Sequence, residues 1–152
     1  MAASWPQVVE SQGLLPQGRR GLASWVLGAV VLTACSAPDH SRVAGSEVRL
    51  TLAQDDGGNL AAVRRQDRPD VTLRVTLVGA PVGEELALAC DWTDPSGQAA
   101  RHNRYRTRAI TSTLWPTHCH QLLGPDTAPG TWSVRMSLDD RQLALARFEV
   151  QP

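Results

Sequence analysis

The sequence predicts an all-β protein: an antiparallel β-sandwich of about seven strands that follows an N-terminal signal peptide. Two observations predict this fold. Beyond the signal, apolar and polar side chains alternate in several short runs, which is the period of half-buried strands. Asp, Pro and Gly residues separate these runs, and no segment sustains a helical period. Many short strands spaced by turns are typical of a sandwich or a barrel.

Residues 21–35 have the anatomy of a secretory signal. Arg19 and Arg20 precede an apolar run of about a dozen residues that ends in small side chains. This run is shorter than the ~20 apolar residues that a transmembrane helix needs, so a signal peptide is favoured over a membrane span. Residues 1–18 carry no basic side chain and are interpreted as a long leader or a misplaced start.

The signal ends in Leu32-Thr33-Ala34-Cys35, which resembles the lipobox of bacterial lipoproteins. The resemblance implies that the Cys35 thiol is diacylated and that the chain is cut before it, so that acyl chains hold the protein on a membrane. Residues 1–34 are then the leader and signal peptide, 35–45 a lipidated tether, and 46–152 the β domain.

The residue after the lipidated cysteine implies a location. Ser36 stands where an aspartate favours inner-membrane retention in many such lipoproteins, so the resemblance implies the cell outer membrane, facing the periplasm. Two alternatives stay open. An ordinary signal peptidase that cuts after Ser36 would release a soluble periplasmic protein. Arg19-Arg20 would suit a twin-arginine signal, although the flanking residues fit it poorly.

Charge and cysteine content narrow the class further. The 15 basic and 15 acidic residues balance, so the chain lacks the strong positive field of a nucleic-acid-binding protein. Of three cysteines, Cys90 and Cys119 remain once Cys35 is acylated, and exported chains meet an oxidising compartment. We therefore predict a Cys90–Cys119 disulfide, which closes a loop of about 30 residues and contributes about 3–4 kcal/mol. The alternative is a pair of buried free thiols.

The first half of the domain contains four predicted strands. They lie at residues 48–52, more weakly at 60–64, at 71–77 and at 86–92, where alternate residues are apolar. In the last of them Cys90 shares the inward face with Leu88 and Trp92. Turns are predicted at Asp55-Asp56-Gly57-Gly58 and at Asp94-Pro95-Ser96-Gly97.

The second half begins with an arginine-rich strand. Residues 101–108 place Arg104, Arg106 and Arg108 on one face and Tyr105 on the other. Residues 110–115 are the next strand or its continuation, and the proline-rich segment 116–129 is predicted to be a loop. A final hairpin pairs residues 132–138 with 144–150 through a turn at Asp139-Asp140-Arg141.

The entry to this hairpin, residues 126–134, resembles immunoglobulin-like domains. Trp132 stands where those domains have a tyrosine, and Val134 where they have their second cysteine. The closing Phe148-Glu149-Val150 is similar to the last strand of bacterial immunoglobulin-like or fibronectin-like modules. The resemblance implies an immunoglobulin-like sandwich and no functional residue, since Cys90 and Cys119 lack the usual spacing.

Two clusters are candidate ligand sites. The alternating Arg104, Arg106 and Arg108 form a possible face for an anionic ligand, although such a row also occurs as a solvated edge that resists aggregation. His118 and His120 flank Cys119, and imidazoles suit Cu or Zn. On an extended segment the two histidines share a face while Cys119 points away, so the segment offers two ligands and we predict no metal site.

The chain carries none of the common catalytic motifs, such as Gly-x-Ser-x-Gly or His-Glu-x-x-His. Trp92 and Trp132 are predicted to pack in the core, and Trp115 to be the most exposed. The sequence therefore predicts a non-catalytic envelope lipoprotein without a cofactor, which binds or assembles with another envelope protein. The alternative is a periplasmic Cu- or Zn-binding protein that uses His118 and His120.

Overall fold

A computed structural model describes residues 39–54 and 58–152. This part of the chain forms eight strands and one short 3-10 helix, Arg65–Asp67. The strands are β1 Ala44–Leu52, β2 Ala62–Arg64, β3 Asp70–Val78, β4 Ala87–Thr93, β5 Ala99–Arg106, β6 Leu114–Leu122, β7 Gly130–Leu138 and β8 Arg141–Gln151. The predicted leader, the lipobox with Cys35 and residues 55–57 of the first predicted turn lie outside the described residues. Among the described residues, none lies in a helix long and apolar enough to cross a membrane.

The strands form two sheets. One has the order β1-β3-β6 and the other the order β2-β8-β7-β4-β5. All neighbouring strands are antiparallel except β2 and β8, which are parallel. The predicted all-β sandwich is confirmed. In this arrangement β1 and β6 are the edges of the three-stranded sheet, and β2 and β5 are the edges of the five-stranded sheet.

The core lies between the inner faces of the sheets. The period-two pattern of the sequence correctly identified the side chains that form most of this core, each of which is at most 6% exposed. They are Val71, Leu73, Val75 and Leu77 from β3, Leu88, Cys90 and Trp92 from β4, and Trp132, Val134, Met136 and Leu138 from β7. Each large apolar side chain removed from water contributes roughly 1.5–3 kcal/mol, which makes this two-sided layer the main source of stability.

The final hairpin is also confirmed. β7 and β8 pair from Gly130 and Val150 to Leu138 and Arg141. The two residues between them, Asp139 and Asp140, have φ angles of 48° and 63°. A two-residue loop with both residues in this region matches the right-handed twist of the strands, and aspartate tolerates it better than most residues do.

The first two strands differ from the sequence prediction. The alternation of β1 is interrupted by a bulge between Ser46 and Arg49, where Glu47 has a φ of 47°. As a result Leu50 is 1% exposed, while Val48 is 37% exposed. The weak strand predicted at residues 60–64 is present as β2, but it pairs with β8 in parallel instead of returning beside β1.

The largest difference concerns β6. Residues 116–122 were predicted to be loop, but they form most of this nine-residue strand. Pro116 does not prevent the strand because β6 is at a sheet edge, which is where sheets tolerate proline. Trp115 consequently lies in a strand and packs, partly buried, against the core. Trp115 is the most exposed of Trp92, Trp115 and Trp132, as predicted, but its expected place in a loop was wrong.

The packed chain also begins earlier than predicted. β1 starts at Ala44, inside the segment 35–45 that the sequence assigns to the tether, and Val43 is 1% exposed. His40 is held by two carboxylates: its Nδ1 lies 2.7 Å from Oδ2 of Asp139 and its Nε2 lies 3.3 Å from Oε2 of Glu84. The polar segment is therefore attached to the domain from His40 onwards.

Candidate binding surfaces

A disulfide joins the two sheets. Cys90 of β4 and Cys119 of β6 are bonded, with their Cα atoms 6.6 Å apart. The predicted pairing is confirmed, and both side chains are buried. The disulfide lies next to edge strand β5, because Cys90 of β4 pairs with Asn103 of β5. It thus holds the β5 side of the sandwich closed.

Two tryptophans belong to the core, as predicted. Trp92 is fully buried and meets Phe148 edge-on, with ring centroids 6.3 Å apart. The indole N–H of Trp132 donates a 2.8 Å hydrogen bond to the carbonyl of Ala128, at the entry to β7. Immunoglobulin domains place a tyrosine at this corner, with its hydroxyl bonded to backbone a few residues upstream. Neither tryptophan is available as a ligand platform.

The outer face of the five-stranded sheet is built around Asp91. This residue pairs across the sheet with His102 on β5 and with Arg135 on β7, so all three side chains share a face. Oδ1 of Asp91 accepts hydrogen bonds from His102 Nδ1 at 2.8 Å and Arg104 Nη1 at 2.9 Å. Oδ2 accepts one from Arg135 Nη2 at 3.0 Å.

This network determines the charge of Asp91. Partial burial acts to raise the pKa of Asp91, but hydrogen bonds from His102, Arg135 and Arg104 outweigh it and hold that pKa well below its usual range. The carboxylate is therefore ionised at neutral pH and fixes the two guanidinium groups. Sequence reasoning missed this network, and its only signal was the register that places these residues opposite one another.

Of the three arginines predicted to form a row, the structure keeps two on one strand and places the third beyond its end. Arg104 and Arg106 are exposed on β5, opposite Ala89 and Ala87. Arg108 lies beyond the end of the strand, after the buried Thr107, so it does not continue the row. Two further arginines, Arg135 and Arg147, lie on the same outer face through their pairing with Asp91 and Ser133.

A groove runs between the edge strands β5 and β6, which belong to opposite sheets. Two hydrogen bonds cross it: Asn103 Nδ2 donates to the carbonyl of His120 at 3.1 Å, and the hydroxyls of Tyr105 and Thr117 lie 2.8 Å apart. Burial raises the pKa of Tyr105. The groove has a volume of about 420 Å³, and its lining includes Arg101, His102, Arg104, His118 and His120.

The two histidines of the alternative metal site lie on β6. They share the exposed face of the strand while Cys119 points inward, which is the local geometry that the sequence predicts. Nδ1 of His120 is bonded to Asp70 at 2.9 Å. Over residues 39–54 and 58–152, no group of three or more His, Cys, Asp or Glu side chains is arranged to hold a metal ion.

Comparison with solved structures places the fold. An immunoglobulin-like protein from Pseudomonas aeruginosa matches with a TM-score of 0.53 and 16% identity, over 72% of this chain and 96% of the other. The fold is an immunoglobulin-like β-sandwich. An alkylpurine DNA glycosylase from Pseudomonas fluorescens, solved bound to DNA with an abasic-site analogue, matches with a TM-score of 0.50 and 18% identity. The match covers 72% of this chain and 30% of the glycosylase.

Sequence comparison adds no family to the immunoglobulin-like fold. No protein-family model matches the chain. No curated protein matches it either. At such low identity the two structural neighbours show the fold alone, so the function of this immunoglobulin-like domain must be argued from its own surfaces.

Proposed function

We propose that the protein is a non-catalytic, lipid-anchored domain of the cell envelope that binds a partner protein through the outer face of its five-stranded sheet. The observation that carries the proposal is the set of four arginines on this face, Arg104, Arg106, Arg135 and Arg147. An immunoglobulin-like protein among the structural neighbours is compatible with a binding or assembly role. The partner is a protein with an acidic, flat surface.

The arrangement of the arginines supports this partner chemistry. Asp91 holds Arg104 and Arg135 in place by hydrogen bonds of 2.9 and 3.0 Å, which reduces the entropy lost when they meet a partner. Arg106 and Arg147 make no ion pair with any described residue, so their charges remain available. Complementary charge of this kind raises association rates and selects among partners.

The shape of the face also suits a protein. Ala87, Ala89 and Ser137 line a shallow basin of about 520 Å³. Its lining also includes Arg104 and Arg106 together with Asp139 and Asp140 of the β7–β8 turn, so a partner's surface must offer basic groups to the turn as well as acidic groups to the arginines. Small side chains at its floor let a partner's side chains approach the sheet closely. A nucleic-acid partner is not proposed, because the charges of the chain balance and its signal sequence favours export.

The anchor is the second part of the proposal, and it is supported by the lipobox resemblance at Cys35. It is tested by the intact mass of protein purified from membranes. We expect a chain that begins at Cys35 and carries added acyl mass, and a Cys35→Ser variant that is no longer acylated. If Cys35→Ser protein without acyl chains were found in the membrane fraction in the same amount as the wild type, the anchor would be contradicted.

The binding face is tested by site-specific photocrosslinking in intact cells. A photoreactive residue at position 147 should capture an envelope protein, and Arg106→Glu with Arg104→Glu should abolish the adduct by reversing the charge. A photoreactive residue at position 76, on the other sheet, is the matched control. Equal adducts at positions 147 and 76, or adducts that survive charge reversal, would refute the assignment of this face.

A further inference from the structure

We propose that the groove between β5 and β6 is a binding site for a phosphate group. Three of the four histidines of the chain lie along this groove, together with two arginines. They lie on two strands that belong to different sheets, and only the closing of the sandwich brings β5 and β6 side by side. The groove borders the proposed protein-binding face, and the two share His102 and Arg104, which Asp91 holds on the outer face of the sheet.

The groove has two rims that carry nitrogen donors. His102 and Arg104 line it from β5, His118 and His120 line it from β6, and Arg101 adds a second guanidinium. Its volume of about 420 Å³ falls within the roughly 300–1,000 Å³ of small-molecule sites. The interstrand hydrogen bonds of Asn103 and Tyr105 close its base, so a ligand meets a preformed surface.

The charge of the lining selects an anion. No acidic side chain is among the described residues that line the groove. Two carboxylates outside this lining orient the histidine rings: Asp91 is hydrogen-bonded to Nδ1 of His102 at 2.8 Å, and Asp70 to Nδ1 of His120 at 2.9 Å. In both rings Nε2 is therefore the nitrogen that is left to meet a ligand.

Phosphate fits these donors better than other anions do. Its several strong acceptor oxygens match a ring of donors approaching from two sides, and guanidinium binds phosphate in a fixed bidentate geometry. A carboxylate offers two oxygens in one plane and would leave one rim unused. A free phosphate and a phosphorylated lipid headgroup present the same tetrahedral oxygens, so the proposal names the phosphate group and the experiment distinguishes its two sources.

Titration calorimetry tests the site in the full chain, kept in non-ionic detergent at low salt. Tripolyphosphate represents a free phosphate, and dihexanoyl phosphatidic acid, a short-chain soluble lipid, represents a headgroup. We expect saturable binding of one ligand per chain, weakened about tenfold by Arg101→Gln and again by His118→Gln, since each removes a charge-assisted hydrogen bond. Both side chains are exposed, so the fold should be unaffected.

Arg147→Gln is the matched control, because it removes the same charge from the sheet face outside the groove. Tighter binding of tripolyphosphate assigns a free phosphate, and tighter binding of phosphatidic acid assigns a headgroup. Equal weakening by Arg101→Gln and Arg147→Gln would show diffuse attraction and overturn the proposal. So would the absence of binding to both probes, or saturable Zn²⁺ binding that needs His118 while phosphate does not bind.

Discussion

Opening the Cys90–Cys119 disulfide should cost this domain much of its stability. The two cysteines are 29 residues apart in sequence. In the chain-entropy model, closing a loop of this length lowers the entropy of the unfolded chain enough to stabilise the fold by about 3.6 kcal/mol. Total stabilities are only about 5–15 kcal/mol, so this is a large share. For a domain of about 115 residues, it corresponds to a fall in Tm of roughly 15 °C.

The experiment compares urea unfolding of the wild-type chain with that of the double variant Cys90→Ala, Cys119→Ala, followed by tryptophan fluorescence. Alanine is chosen because both sites are buried, where a serine hydroxyl would need a hydrogen-bond partner. Reductant should destabilise the wild type to nearly the level of the variant and leave the variant unchanged. A difference below about 1 kcal/mol between oxidised and reduced wild type would refute the loop-entropy reasoning.

Three further predictions concern single side chains. Trp132→Phe removes the hydrogen bond to Ala128 and should lower the free energy of unfolding by about 1 kcal/mol beyond the loss from the smaller ring, measured by urea denaturation. The hydrogen bond with Asp139 raises the pKa of His40. The contribution of protonated His40 to the free energy of unfolding should therefore be complete below the unfolded-state pKa of about 6.5 and be lost as the pH rises through the folded-state pKa. Unfolding of His40→Gln, measured across this pH range, should lack the dependence. The pKa of Asp91 is lowered, so the contribution of its carboxylate to the free energy of unfolding should be present above the unfolded-state pKa of about 3.9 and disappear in strong acid. Asp91→Asn should flatten that part of the acid-unfolding profile.

Strands were predictable wherever burial followed the period of two. In β3 and β7 one face is sealed against the core, so alternate positions must be apolar. β6 was missed because it is an edge strand whose inward residues include Thr117 and Cys119, and because Pro116 is typical of loops. The bulge in β1 was missed for a related reason: a local backbone irregularity at Glu47 changes which side chains are buried without changing the sequence pattern.

The sequence by itself determined the fold class, the final hairpin and the disulfide, because alternation, turn residues and cysteine number are local or countable properties. Only the tertiary structure decided the candidate sites. Asp91 meets Arg104 and Arg135 across three neighbouring strands. The basic groove exists because β5 and β6, from different sheets, lie side by side. Such contacts depend on strand order and register, which are selected by the packing of the whole core rather than by any one segment.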